Sequence, residues 1–342
     1  KDGFPEAGKN LTDNNITPGF GDEGTTEKAE FEYELIEPSS GEPGIFTYNA
    51  FEDFSNGKCS RSDLSWDEVG IIGLNATNKN YLDSGQDVIG FVEYVGRFIP
   101  DRFQIDNNEP NFANNCTDFT YMGQYFVYDT NPKITIQAVN VNGNTTKNYG
   151  GHGTGEDYWK LNNTISTYYY DATSGVSANF TVNIANDTWN NTRNNYDGTG
   201  TLTILNDKFY FNKVDKQEPF YSLVNCTIPN NELNDNDNVC FDPNDNGTCN
   251  DFTLDANSSI SGQQPINGTE LRYGRIIVEN AYGSELLPLQ DIQIRAEYYQ
   301  GEGFQRNYLD SCTEYNAGNI NWGNAEYGGN LSDIYLDSNG GG

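Results

Sequence analysis

Apolar and polar positions alternate along much of this chain. Ala29-Glu-Phe-Glu-Tyr-Glu-Leu35 sets apolar side chains against acidic ones at every second residue, the period of a half-buried strand with a negatively charged outer face. Residues 133–141 alternate in the same way and end at Asn142-Gly143, a dipeptide suited to a tight hairpin turn. Residues 44–51, 87–99, 118–128, 165–170, 177–184, 200–205 and 208–214 read as further strands, most of them bounded by Asn, Asp or Gly, and strands resume over 271–299. Residues 62–69 read as a single helical turn opened by a Ser cap. No segment keeps a 3.6-residue period beyond two turns, so helix is a minor component. The pattern predicts an all-β chain of two or three Ig-like or jelly-roll-type antiparallel β-sandwich domains joined by long Asn/Asp/Gly-rich loops.

The punctuation between strands suggests an organisation. Residues 1–27 are polar and aperiodic, a flexible or extended N-terminal arm. Residues 28–104 form an N-terminal β domain, 105–268 a central β-sandwich with an acidic loop at 229–251, and 269–342 a C-terminal β segment with the N-terminal domain as a candidate packing partner.

Composition sharpens this picture. Apolar residues make up 35% of the 342, while aromatics reach 13%, with 23 Tyr and 19 Phe, so the core is built from rings on sheets rather than from Leu seams. Fifty Asp and Glu face 19 Lys and Arg, a formal net charge of −31. Such a surface repels nucleic acid and anionic lipid, attracts hard cations, and suits a saline exterior. No apolar run is long enough to span a bilayer and no leader is visible, so neither membrane insertion nor a membrane anchor is expected within this stretch.

Cys59, Cys116, Cys226, Cys240, Cys249 and Cys312 lack the CxxC spacing of zinc ribbons and redox sites, so all six are read as disulfide cysteines of an extracellular protein. Their connectivity stays open, with Cys240–Cys249 the most plausible local bridge. That pair encloses most of the best metal candidate. Asp242, Asn244 and Asn246 occupy positions 1, 3 and 5 of an EF-hand-like loop, and Gly247 supplies the bend at position 6. Position 12 is Thr253 rather than Glu, which leaves Asp251 or Asp255 as a distal ligand for Ca²⁺. The competing reading is a solvated cluster of Asx turns pinned by a disulfide. Sequons are dense, and Asn75, Asn144, Asn179, Asn186, Asn257 and Asn267 are candidate glycosylation sites, although the Asn- and Thr-rich composition alone yields many. His152 is the sole histidine and sits in a Gly-rich run with neither a nucleophile elbow nor a P-loop lysine, so no catalytic residue is assigned. Trp66, Trp159, Trp189, Trp322 and Tyr168 to Tyr170 suit a sugar-stacking platform or, more commonly, a core.

Three longer runs carry more specific information: Gly96-Arg-Phe-Ile-Pro-Asp-Arg-Phe103, Cys116-Thr-Asp-Phe-Thr-Tyr-Met-Gly-Gln124, and Arg272-Tyr-Gly-Arg-Ile-Ile-Val-Glu-Asn-Ala-Tyr-Gly-Ser-Glu-Leu-Leu-Pro-Leu289, the last continuing to Asp310-Ser-Cys-Thr313. With them, the chain resembles the large C-terminal region of MshQ-type proteins, which are encoded with the mannose-sensitive haemagglutinin type IV pilus of aquatic bacteria. The resemblance implies a cell-surface or pilus-associated protein and brings no catalytic residues. The expected function is therefore a structural or adhesive surface protein, pilus-associated or itself a filament subunit assembled by strand exchange. Its expected partners are further copies or other surface proteins. The alternative is a calcium-dependent carbohydrate-binding module with glycans as ligands; an enzyme is not expected.

Overall fold

The strand Glu30–Glu37 realises the predicted alternation through Leu35. In the computed structural model, which describes residues 16–22, 24, 27–150, 158–162, 165–172, 179–185, 192–193, 197–254, 266, 268–279, 283 and 293–314, this strand turns Phe31, Tyr33 and Leu35 to one side and exposes Glu30, Glu32 and Glu34 on the other. It pairs antiparallel with Gly70–Asn78, which pairs in turn with Val88–Phe98, giving a three-stranded N-terminal sheet. Trp66, Ile72 and Leu74 are its buried centre, ringed by Phe31, Tyr33, Leu35, Phe46, Val95 and Phe98. The helical turn expected over 62–69 does not form. Ser65–Trp66 is instead a short strand against Phe46–Thr47, with the Trp66 indole Nε1 donating to the Pro43 carbonyl at 2.8 Å and its ring edge-on to Phe98 at 5.1 Å. Burying Trp66 outweighs one Ser cap, because a large ring contributes more than a single capping bond.

After Phe98 the chain changes sheet. Arg102–Asn107, Lys133–Val139, Thr199–Thr203 and Thr192–Arg193 make a four-stranded antiparallel sheet, with Lys133–Val139 and Thr199–Thr203 inside it. The predicted alternation places Ile134, Ile136 and Ala138 fully in the core. The turn after it closes as the Asn-Gly pair predicts: Asn140 Oδ1 accepts the amides of Asn142 and Asn144, and Gly143 adopts φ 79°, a left-handed conformation that favours glycine. Tyr169–Ala172, Val224–Ile228 and Phe252–Leu254 form a second sheet, and Phe180–Asn183 pairs with Lys208–Phe211. All these layers share one core, in which Phe103, Phe126, Phe209, Phe211 and Phe252 are completely buried. The ring-based core expected from the composition is therefore present as packed sheets.

Glu270–Arg272 leads to the C-terminal sheet. It pairs parallel with Thr120–Tyr121 and antiparallel with Phe220–Tyr221. Gly274–Val278, Ile294–Gln300 and Gly303–Arg306 then form a three-stranded meander. Gly274 is required at the junction, since a Cβ there would overlap the Tyr121 ring. The structure is all-β: the helical segments among the described residues are 3₁₀ turns of three or four residues, and none is long and apolar enough to cross a membrane.

Candidate functional site

Three features stand out: a strapped acidic loop, a clasp built from distant residues, and an exposed sheet edge. Residues 229–251 form a folded element. Asp242 is buried, and its carboxylate accepts the amides of Asn244 (3.1 Å), Asn246 (2.8 Å) and Gly247 (2.7 Å). Burial alone would raise this carboxyl, but the amides of Gly247, Asn246, Asn244 and Asp245 outweigh it and hold the group below the usual carboxylate range. The Asp235 carboxylate also gathers loop donors, accepting the amides of Asp237 (2.8 Å) and Val239 (2.9 Å) and the Tyr149 hydroxyl (2.6 Å). The Cys240–Cys249 disulfide spans the loop, as its spacing suggested. Of the remaining calcium-candidate residues, Asn246 Oδ1 accepts the Thr248 amide at 2.9 Å, and Asp251 Oδ1 accepts the Asn230 amide at 2.7 Å. The side chain of Asp251 thus meets Asn230, whereas that of Asp242 meets Asn244, Asn246 and Gly247.

The clasp joins the C-terminal sheet to the central region. Cys116 and Cys312, separated by 196 residues, form the second disulfide. Beside it the Tyr121 hydroxyl donates to Asp310 Oδ2 (2.9 Å) and accepts from Asn307 Nδ2 (2.7 Å). Asn307 Oδ1 accepts Arg272 Nη1 at 2.8 Å, and Arg272 Nε donates to Glu270 at 2.5 Å. The buried Arg272 guanidinium lies between the rings of Phe119 (4.3 Å) and Tyr298 (4.7 Å). Cys116, Asp310 and Cys312 are ligand types grouped within 4.8 Å, but both sulfurs are committed to the bridge. Cys59 and Cys226 are free thiols, the first half-buried and the second inside the core, so four of the six disulfide candidates pair.

The N-terminal sheet treats its two edges differently. On the Glu30–Glu37 side, Ala29 pairs with Phe51, the Phe31 amide donates to the Tyr48 hydroxyl at 2.9 Å, and three exposed glutamates, Glu30, Glu32 and Glu34, line the strand. On the other side, the eleven residues of Val88–Phe98 have no strand paired with their outer edge among the described residues. Ile89, Phe91 and Tyr94 are 66, 69 and 59% exposed, and Val88 and Val92 are exposed as well. Two register shifts against Gly70–Asn78 kink the strand, and Arg97 near its end forms a two-pronged ion pair with Asp237 of the acidic loop. Where the strand ends, Trp66, Phe98, Ile99, Asn140 and Val141 line a cleft of about 390 Å³. Glu68 borders it. Burial raises the Glu68 carboxyl although the amides of Val69, Asn148 and Lys147 all bond to it.

The family described as DUF6701, third domain, matches residues 68–256, and DUF6701, fourth domain, matches 272–341. The chain belongs to the DUF6701 family. No curated protein and no solved structure matches it. Within this DUF6701 chain the clasp is the junction between the two matched domains, since Cys116 and Tyr121 lie in the third and Arg272, Asn307, Asp310 and Cys312 in the fourth.

The other predicted residues fall in different places. Asn75 and Asn144 are exposed sequons and Asn179 is half-buried, while Asn186, Asn257, Asn267, Asp255, Trp189, Trp322 and His152 lie outside the described residues. Trp66 and Trp159 are buried, as is Tyr170, which leaves only Tyr169 of the described platform residues exposed. The clasp and the sheet edge were missed by reading residues singly. The edge had a signal in the sequence: 88–92 is apolar or Gly at every position, with no polar face.

Proposed function

We infer that this DUF6701 chain is a structural or adhesive protein of a bacterial exterior, pilus-associated or itself a subunit of an extracellular filament assembled by strand exchange. The observation that carries the reading is the asymmetry of the N-terminal sheet. One edge is closed by a bridge and by acidic side chains, the usual protection against edge-to-edge pairing, whereas Val88–Phe98 has one glutamate and one arginine among exposed apolar residues. Strand addition to such an edge is a general mode of protein assembly. Two disulfides fit an oxidising compartment outside the cytoplasm. The runs that resemble MshQ-type proteins include Cys116–Gln124, Arg272 and Asp310–Thr313, the parts of the clasp, which favours a surface protein built for cohesion. Electron microscopy and sedimentation of the purified protein test the reading. Concentration-dependent filaments or oligomers are expected, and they should disappear when residues 1–27 are deleted. Assemblies unchanged by the deletion rule out the arm as the link, and a monomer at every concentration removes the assembly reading altogether.

A further inference from the structure

We propose that the Val88–Phe98 edge is the acceptor for residues 1–15 of a second copy, added as an antiparallel strand with Lys9 opposite Glu93. This rests on the assembly reading above and gives it an acceptor, a donor and a register.

Ile16 and Thr17 lie on Gly57, and Phe20 packs between Phe54 (4.9 Å) and Tyr81 (5.5 Å). Phe51 and the turn at Ser55 and Lys58 belong to the segment that closes the Glu30–Glu37 edge. Ile16, to which residues 1–15 connect, therefore lies beside the segment that closes the Glu30–Glu37 edge, and Phe20 reaches the Tyr81 turn that precedes Val88–Phe98. Extended at roughly 3.3 Å per residue, residues 1–15 span about 50 Å, against about 36 Å for an eleven-residue strand, so the segment is long enough to line a neighbour's edge completely.

Charge selects the partner and the register. With a net charge of −31, two copies repel over most of their surfaces. Residues 1–15 are nearly balanced, with Lys1 and Lys9 against Asp2, Glu6 and Asp13, and the edge carries only Glu93 and Arg97. Arg97 is already held by Asp237, while Glu93 has no basic partner among the described residues. Placing Lys9 opposite Glu93 sets Leu11 opposite Phe91, the most exposed large ring of the strand, and Thr12 opposite Gly90. One register thus gives a charge pair and an apolar pair on the same face, since directly opposed residues of antiparallel strands share a face. Carried on without a shift, the same register sets Phe4 opposite Phe98, beside the cleft lined by Trp66, Phe98, Ile99 and Val141. Pro5 then falls on the new outer edge, where a missing amide donor is tolerated.

The test is a charge-reversal cycle on the full chain, read by sedimentation over a range of concentrations. Lys9→Glu and Glu93→Lys alone should each raise the concentration needed for assembly about fivefold or more, because like charges would face each other. The double variant should return to within about twofold of the starting protein. A free peptide of residues 1–15 should inhibit assembly of the unaltered chain, and the same peptide with Lys9→Glu should inhibit only the Glu93→Lys chain. Assembly that continues unaffected by either single reversal would overturn this acceptor and register while leaving the broader reading intact. A double variant no better than the singles would also overturn the register. An unaltered chain that never associates would overturn both.

Discussion

At the scale of single residues, the informative side chains are acidic groups that organise backbone. Asp242 receives three loop amides within 3.1 Å. Asp242→Ala should lower stability by about 2 kcal/mol, measured by urea unfolding, because those donors lose a charged acceptor. The Asp242 carboxyl lies below its ordinary range when folded, so its contribution is complete above about pH 4 and is lost as pH falls through the folded value. The acid limb of unfolding should therefore be less steep in the Asp242→Ala variant. Cys226 makes a different prediction. It is fully buried beside Tyr170, whose hydroxyl bonds Asp207 at 2.6 Å, and burial pushes its thiol far up. A thiol reagent should label Cys59 promptly in the native protein and reach Cys226 only after unfolding. Two prompt thiols would contradict the buried placement.

At the scale of elements, alternation was legible where burial of one face dictates it. Residues 30–35 and 133–138 follow their patterns residue by residue, and Cys240–Cys249 was legible because its partners are 9 apart. The clasp was not, because Tyr121 and Asp310 are 189 positions apart and nothing local links them. The short strand at Ser65–Trp66 was misread as a helical turn because its pairing with Phe46–Thr47 is tertiary. The edge position of Val88–Phe98 is a property of the sheet, invisible in the strand itself. Removing the clasp disulfide with Cys116→Ser and Cys312→Ser should cost up to about 5 kcal/mol by the loop-closure relation. Hydrogen exchange should then accelerate first in Ile294–Gln300 and Gly303–Arg306, the strands that it tethers. Uniform acceleration across all sheets would mean that the bridge supports the whole molecule rather than this junction.

At the scale of the whole molecule, a charge of −31 sets the conditions for self-association. Repulsion between copies is screened over roughly 10 Å at 0.1 M salt and over about 3 Å at 1 M. Assembly should therefore strengthen as sodium chloride rises across that range, followed by light scattering; a contact dominated by the Lys9–Glu93 pair alone would weaken instead. The same sheets carry one further consequence. The Cys116–Cys312 bond closes a covalent ring, so a pull travelling from the N-terminal sheet to residues beyond Thr313 crosses the sulfurs and bypasses the 196-residue path between them. Arg102–Asn107, which precedes Cys116, stays on the loaded path, but the stretch between the two cysteines bears no load. In a force-extension trace its roughly 650 Å of contour should stay hidden until a reductant cuts the shortcut.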